Sequence, residues 1–184
     1  MTVLVLVRHG ETDWNVEGRY QGQADPPLNE RGIAQSYELA KHLDKYRLDL
    51  IYTSPLKRSV QTAEIAAQRL GLHIYKEPRL MEIHQGDWQT RLRAEIDALY
   101  PDLLRKWETE PWEISPPKGE TLYQVQKRVV AAVEEIKARH PNDCVGIVTH
   151  RIPIALIKVQ YQEVDRDIVR SMHLPNVFVE QVEI

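Results

Sequence analysis

The sequence predicts an α/β fold, a three-layer α/β/α sandwich with a mainly parallel central sheet. Short apolar runs alternate with segments of helical periodicity, and strands separated by helices are typical of parallel sheets covered on both faces. The run VLVLV at residues 3–7 has no polar face, which indicates a strand in the centre of the sheet. No repeat, low-complexity tract or linker divides the 184 residues, so we expect a single domain over residues 1–184.

Apolar spacing and end signals define the elements of the first half. After the first strand we expect a helix over residues 29–45, a strand over 48–53, a helix ending at 70 and a short strand over 72–75. Ser54 has the place of an N-cap, and Pro55 that of a first helical residue. Gly71 is placed to cap the same helix at its other end.

The second half begins with an irregular segment and returns to regular structure. Residues 78–119 hold five of the eleven prolines and three of the four tryptophans, which predicts a lid insertion over one end of the sheet. The elements expected in this half are short helices near 92–99 and 102–107, an amphipathic helix over 122–136, a strand over 144–149, a helix opened by Pro153 and running to about 161, and an edge strand over 177–182.

Composition limits the classes of function. The net charge of −3 suggests neither a nucleic acid nor an anionic membrane as partner. No apolar run approaches the roughly 20 residues of a membrane span, and the first residues lack the features of a signal peptide. The single cysteine, Cys144, permits no disulfide within the chain, as in proteins of reducing compartments. We therefore expect a soluble, cytoplasmic protein.

Three predicted strand ends carry residues that suggest chemistry. Arg8, His9 and Gly10 follow the first strand, residues 54–58 follow the second, and residues 149–151 (Thr-His-Arg) follow the strand that begins at Cys144. Ligands of open α/β sheets bind beyond the carboxyl ends of the strands. Two histidines and two or three arginines are therefore expected at one edge of the sheet.

Such a cluster suits an anionic ligand. Guanidinium groups bind phosphate through paired hydrogen bonds and stay charged, and helix N-termini would add backbone N–H donors. A histidine in this site can donate a hydrogen bond, or it can attack phosphorus through a ring nitrogen. The leaving oxygen then needs a proton, and Glu11 and Glu82 are the candidate carboxylic acids.

The chain resembles the histidine phosphatase superfamily, in its phosphoglycerate mutase-like branch. The blocks that carry the resemblance are, in order, LVRHGETDWN, GRYQGQADPPLNERGIAQS, YTSPLKRSVQTAEIA, RLMEIHQGDW, GETLYQV and VTHRIPI. Each block alone is a weak signal, but together they extend from residue 3 to about residue 157. The resemblance implies the phosphoglycerate mutase-like fold.

The resemblance also implies a role for each matching residue. His9 would be the nucleophile that becomes phosphorylated, and Glu82 the proton donor and later the base that activates water. The phosphate-binding residues would be Arg8, Asn15, Gln21, Gly22, Arg58 and His150. Gly10 would keep its loop small enough for a close approach. No metal or cofactor is implied, and the sequence lacks HExxH, CxxC and GxxxxGK[ST] motifs.

Two positions depart from the family pattern. Many members have Trp-Glu-Gly where this chain has Trp88, Gln89 and Thr90, a change expected to affect the lid more than the chemistry. Many members have glycine after the second histidine, and this chain has Arg151. The arginine either reaches into the pocket, where it would increase the preference for anions, or points away along the helix.

Among the activities in this family, the sequence favours a metal-independent phosphatase of small phosphate esters over a cofactor-dependent phosphoglycerate mutase. Mutases tend to have tyrosine where this chain has Gln85, and they carry a longer insertion before the second histidine. Phosphoserine, broad-specificity and alpha-ribazole phosphatases are all similar. A regulatory domain that binds phosphate ligands without turnover is the alternative of another class. The physiological substrate stays open, and so does the oligomeric state, for which a homodimer is common among relatives.

Overall fold

A five-stranded sheet forms the middle layer of the computed structural model, which describes residues 1–184. The strands are β1 (Val3–Arg8), β2 (Leu50–Thr53), β3 (Ile74–Lys76), β4 (Cys144–Thr149) and β5 (Val179–Glu183). Their order across the sheet is β3-β2-β4-β1-β5, and only β5 runs antiparallel to its neighbour. The mainly parallel sheet and the edge position of the last strand are confirmed.

Eight helices accompany the sheet. They are α1 (Asp13–Glu17), α2 (Glu30–Leu43), α3 (Lys57–Leu70), α4 (Arg93–Leu99), α5 (Pro101–Thr109), α6 (Leu122–Arg139), α7 (Arg151–Tyr161) and α8 (Ile168–Ser171). None of them combines the length and the apolar character needed to cross a membrane.

The alternation of side chains along β1 builds a core on each face of the sheet. Leu4 and Leu6 are fully buried in one cluster, which includes apolar residues of α6 and α7. Val5 and Val7 point to the opposite face and join a smaller cluster with residues of α2 and α3. The strand is therefore covered on both sides, and the three-layer architecture is confirmed.

The lid segment, residues 78–119, contains the two short helices that the sequence predicts there, α4 and α5. Its buried side chains, among them Leu80, Trp88 and Trp107, belong to the larger core cluster. The Thr149 hydroxyl at the end of β4 donates a hydrogen bond of 2.6 Å to the carbonyl oxygen of Leu80. Packing and hydrogen bonding therefore fasten the lid segment to the end of the sheet.

Two predicted helix starts are wrong. Helix α3 begins at Lys57, and its N-cap position is Leu56, not Ser54. The Ser54 hydroxyl lies 2.8 Å from a ring nitrogen of His150 on the neighbouring strand end, so a long-range contact takes the place of the cap. Helix α7 begins at Arg151, two residues before Pro153. Proline is tolerated there because N–H groups of a first turn have no intrahelical acceptor.

Candidate active site

The carboxyl ends of β1, β2 and β4 meet at one edge of the sheet because these strands are neighbours in its order. Beyond this edge lies a cavity of about 130 Å³. The residues that line it are Arg8, His9, Tyr20, Gln21, Gly22, Arg58, Glu82, Gln85, Arg151 and Ile152. Of the eight residues to which the resemblance gives a catalytic or phosphate-binding role, six are in this set, and His150 and Asn15 are not.

Buried polar atoms without partners are concentrated at this cavity. Six buried side-chain nitrogen or oxygen atoms have no hydrogen-bond partner in the structure. Four belong to lining residues, and a fifth is Nδ1 of His150, whose ring centre lies 5.1 Å from that of His9. A buried polar group without a hydrogen bond lowers the stability of the folded protein. This arrangement therefore fits a site in which a polar ligand supplies the missing hydrogen bonds.

His9 is held in one tautomer. Its ring is 3% exposed, and Nδ1 lies 2.7 Å from the backbone carbonyl oxygen of Gly10. A carbonyl oxygen only accepts hydrogen bonds, so Nδ1 carries the proton and the lone pair of the neutral ring is on Nε2. Burial, with the charges of Arg58 and Arg8, lowers the pKa of His9 well below 6.5. The ring is therefore neutral at pH 7, as a nucleophile must be.

His150 is fully buried beside His9 and is oriented by two serines. Its Nε2 lies 2.8 Å from the Ser54 hydroxyl oxygen and 3.3 Å from that of Ser59. Burial and the charge of Arg58 lower its pKa well below 6.5. In the tautomer in which Nε2 accepts from Ser54, the unpartnered Nδ1 carries a proton that it can donate to a ligand.

Two arginines, Arg58, which is buried, and Arg8, which is partly buried, flank the histidines. Arg58 is 1% exposed and donates to the carbonyl oxygens of Gly22, at 2.7 Å, and Ala24, at 2.8 Å. Arg8 donates to the carbonyl oxygen of Leu174. Burial lowers the pKa of Arg58 to about 10, so it stays protonated at pH 7. The Nε atoms of both arginines lack a protein partner, as expected for groups that bind an anion.

Glu82 lies in the lid segment and lines the same cavity. One carboxylate oxygen accepts a hydrogen bond of 2.9 Å from the backbone N–H of Ile83. Salt bridges around this residue involve other carboxylates, Glu77 with Arg79 and Glu120 with Arg128, and none involves Glu82. The other candidate acid, Glu11, is outside the cavity and braces α2 by accepting from the Asn29 amide at 3.1 Å.

Arg128 of α6 positions the loop that carries Glu82. Its guanidinium donates to the backbone carbonyl oxygens of Arg79, Met81 and Glu82 at 2.7–2.9 Å and to both carboxylate oxygens of Glu120 at 2.8 Å. Sequence reasoning missed this residue, because an arginine on the polar side of an amphipathic helix gives no signal of its own. We call these five bonds the Arg128 clamp.

Asn15 has a structural position beside the site. Its side-chain oxygen accepts from the backbone N–H of Thr12 at 3.0 Å and caps the start of α1. The same oxygen accepts from the Asn176 amide at 3.3 Å, and that amide also donates to the carbonyl oxygen of His9 at 3.2 Å. In this structure Asn15 thus supports the loop after β1, and its role as a phosphoryl donor stays a prediction.

Gly10 allows a close approach of the loop to a helix. A Cβ atom at this position would lie 2.6 Å from the carbonyl oxygen of Gly32 in α2. Real Cβ atoms do not approach so closely, so any other residue would displace the loop that holds His9. The close approach predicted for Gly10 is present, and its neighbour in the structure is α2.

The two departures from the family pattern both lie close to the cavity. Arg151 reaches the cavity and donates from Nη1 to the carbonyl oxygen of Val169 at 3.1 Å. The Gln89 side-chain oxygen accepts from the backbone N–H groups of Gln23, at 2.8 Å, and Gln85, at 3.2 Å. Gln89 therefore ties the lid segment to the loop that follows α1. No group of three or more His, Cys, Asp and Glu residues has the geometry of a metal site.

Comparisons with known proteins agree with this geometry. The model of the histidine phosphatase superfamily (branch 1) matches residues 4–184. Phosphoserine phosphatase 1 of Hydrogenobacter thermophilus is 44% identical over 154 residues, 84% of this chain and 73% of that protein. The structure of Bacillus stearothermophilus YhfR superposes with a TM-score of 0.94, at 36% identity, over 100% of this chain and 92% of that one.

A third relative was solved with a bound oxyanion. The complex of a mycobacterial glucosyl-3-phosphoglycerate phosphatase with VO3 has a TM-score of 0.90 and 32% identity. The match covers 97% of this chain and 90% of that one. The relatives named in both comparisons include phosphatases, and the likeness extends over nearly the whole fold.

Proposed function

Because the chain belongs to the histidine phosphatase superfamily and is a phosphatase of that type, we propose that it hydrolyses small phosphate esters through a phosphohistidine on His9. Glu82 serves as general acid and then as general base. The tautomer of His9 carries this proposal: its Nδ1–H is bound by the Gly10 carbonyl, which leaves Nε2 as the nucleophile in a cavity that Arg8 and Arg58 also line.

In the first step, Nε2 of His9 attacks phosphorus and the bond between phosphorus and the ester oxygen breaks. Arg8 and Arg58 carry positive charge beside the phosphoryl oxygens, and His150 donates from Nδ1. Glu82 gives its proton to the leaving oxygen, so an alcohol departs and a carboxylate remains. The Gly10 carbonyl stabilises the positive charge that the His9 ring gains.

In the second step, water replaces the alcohol. The Glu82 carboxylate takes a proton from the water molecule, whose oxygen attacks phosphorus, and the bond between phosphorus and Nε2 breaks. Inorganic phosphate leaves and Glu82 is again protonated. The positive charge needed by the phosphoryl group comes from side chains of the protein, so the reaction is independent of a metal.

The substrate class follows from the size of the site and from the relatives. The cavity of about 130 Å³ is confined by the lid segment, which suits a phosphoryl group on a small metabolite. Relatives are named for phosphoserine and for glucosyl-3-phosphoglycerate, both small phosphate esters. A phosphate-binding domain without turnover is disfavoured, because His9 and Glu82 both line the cavity.

Release of inorganic phosphate from an aryl phosphate in excess EDTA tests this proposal. We expect turnover by the native chain, and a loss of at least about a thousandfold in His9→Ala, which lacks the nucleophile. The matched control is His73→Ala, which removes an exposed histidine elsewhere and should keep native activity. Equal activity in His9→Ala would refute the role of His9, and activity abolished by EDTA would refute metal independence.

A further inference from the structure

A second cavity of about 170 Å³ adjoins the catalytic one. Tyr20, Arg151 and Ile152 line both cavities, so the two share a wall. The second cavity, which we call the side chamber, is also lined by Trp107 and Glu108 of α5 and by Arg170 of α8. Together the two volumes fall at the lower end of the roughly 300–1,000 Å³ typical of small-ligand sites.

The side chamber lies where the rest of a substrate must go. A phosphoryl group bound beside Arg8, Arg58 and His9 would occupy the catalytic cavity, and the alcohol part of the ester needs further space. The side chamber is the neighbouring space, because Tyr20, Arg151 and Ile152 line both cavities. We propose that the side chamber binds a carboxylate carried by the leaving group, with Arg151 as its anchor, an inference that rests on the proposed phosphatase function.

The guanidinium of Arg151 has N–H donors that are not used within the protein. Its one hydrogen bond to the protein runs from Nη1 to the carbonyl oxygen of Val169, at 3.1 Å, which holds the side chain in place. The other guanidinium nitrogens have no protein acceptor, and a planar guanidinium matches the geometry of a carboxylate. The charge of Arg151 acts within the site, since it contributes to lowering the pKa of Arg8.

The charge balance of the side chamber favours an anion. Arg170 adds a second guanidinium, fixed by a bond of 2.8 Å from Nη1 to the carbonyl oxygen of Thr109. Glu108 is the one carboxylate in the wall, and Arg93 binds both of its oxygens at 2.7 and 2.8 Å. With Glu108 already paired, the two chamber arginines carry an excess of positive charge.

The same wall favours a carboxylate over a second phosphate. A carboxylate presents two coplanar oxygens, which the free edge of one guanidinium can bind as a pair. A phosphate presents three oxygens that are not coplanar, and it would require more donors than the free edge of Arg151 supplies. Trp107, Ile152 and Tyr20 give the rest of the wall a largely apolar surface, which suits the carbon skeleton of a small acid.

This subsite is a property of this chain. Many sequences of the family have glycine at the position of Arg151, and glycine has no side chain with which to bind an anion. The first residue of α7 therefore selects among phosphate esters, while His9, Arg58 and Glu82 perform the common chemistry.

Matched pairs of substrates test the assignment. Phosphoserine and phosphoethanolamine differ by the carboxylate alone, and 3-phosphoglycerate and glycerol 3-phosphate form a second pair without an amine. We expect the native chain to have a kcat/KM about tenfold to a hundredfold higher for the carboxylate member of each pair. In Arg151→Gln this ratio should fall towards one, and in Arg151→Lys, which keeps the charge, it should be intermediate.

The control is Arg105→Gln, which removes the same charge from an exposed position of α5 and should keep the native ratio. A native ratio near one, or an unchanged ratio in both Arg151 variants, would overturn the carboxylate site while the hydrolysis itself still supports the phosphatase function. A native chain that releases phosphate from no ester would instead refute the proposed function, and the carboxylate site with it.

Discussion

At His9, a single hydrogen bond determines which ring nitrogen is left free to act as the nucleophile of the proposed mechanism. The Gly10 carbonyl fixes the proton on Nδ1, and burial with two nearby arginines keeps the ring neutral at pH 7. The same conditions act on His150, whose Nε2 is oriented by Ser54. The roles proposed for the two histidines, nucleophile for His9 and donor for His150, therefore differ, although the surroundings of both rings lower their pKa.

The low pKa values of His9 and His150 predict how stability depends on pH. In the unfolded chain both rings take up protons below about pH 6.5, whereas in the folded chain they stay neutral. The unfolded state thus binds more protons, so the free energy of unfolding should fall as pH decreases below 6.5. The slope should approach about 1.4 kcal/mol per pH unit for each histidine.

Urea unfolding between pH 7.5 and 5.5, in a buffer without phosphate, measures this slope. His9→Asn removes one of the two contributing histidines, so the slope of the free energy of unfolding against pH should become smaller. The control variant His73→Ala, at an exposed position, should have the same slope as the native chain. If the free energy of unfolding of the native chain stayed constant or rose as pH decreases through 6.5, this would contradict the conclusion that His9 and His150 are neutral in the folded chain.

The sequence could predict those residues of the site that directly follow a buried strand, because the end of the strand determines where they lie. Arg8 and His9 follow β1 directly, and the structure places them in the cavity with Arg58 and Glu82. The direction of Arg151 could not be predicted, because it depends on a carbonyl of α8 that lies 18 positions further along the chain.

At the scale of elements, the Arg128 clamp joins α6 to the loop that carries Glu82, the proposed acid. Three of its five bonds end on backbone carbonyls from residue 79 to residue 82, so they define the path of that loop. Glu120 completes the clamp, and its other contact, to the backbone N–H of His84 at 2.8 Å, holds the far side of the same loop. Glu82 is therefore positioned from both directions.

Replacement of Arg128 should affect catalysis more than binding. In Arg128→Met the loop loses its donors, and a displacement of Glu82 by about 1 Å would lower kcat by roughly a hundredfold. KM should change much less, because the phosphate-binding residues lie on other elements. Arg128→Lys should recover only part of kcat, since one ammonium group cannot make five bonds.

The matched control is Arg139→Met, a change at an exposed arginine on the same helix, which should leave both constants unchanged. Steady-state kinetics with an aryl phosphate and with an alkyl phosphate measures the effect. The alkyl ester has the poorer leaving group and depends more on the acid, so its rate should fall further. An Arg128→Met variant with native kcat for both esters would disprove the positioning role.

Helices with a long apolar periodicity could be predicted, and the two shortest helices could not. Helices α2 and α6 present an apolar stripe to the core over several turns, which the sequence shows directly. Helices α1 and α8 have five and four residues, too few for a periodic pattern. Of the two, α1 has a local signal in its Thr12 to Asn15 capping box and in the left-handed Gly18 that ends it.

At the scale of the whole molecule, the order of the strands creates the site. Strand β4 lies between β2 and β1 although 90 residues separate it from β2 and 135 separate it from β1 in sequence, so three distant loops meet at one edge. That these loops follow buried strands could be predicted from the apolar runs. The order of the strands could not, because it depends on which crossover helices cover which face.

The lid segment provides the second half of the site. Its buried tryptophan, Trp88, is anchored in the larger core, and the segment supplies Glu82 above the arginines and histidines of the strand ends. The irregular path of this segment could not be predicted, since it is set by long-range bonds from Thr149, Arg128 and Gln89. The proposed nucleophile, His9, and the proposed acid, Glu82, thus come from separate parts of the fold.

The most direct test is to identify the phosphorylated residue during turnover. Glu82→Gln should accumulate the intermediate with an aryl phosphate, because this good leaving group departs without an acid while water lacks its base. After rapid quenching under alkaline denaturing conditions, mass spectrometry of the peptides should find the phosphoryl group on His9. The phosphorylated peptide should be absent from the double variant that combines His9→Ala with Glu82→Gln. Turnover without a labelled peptide, or a phosphoryl group on another residue, would contradict the phosphohistidine mechanism.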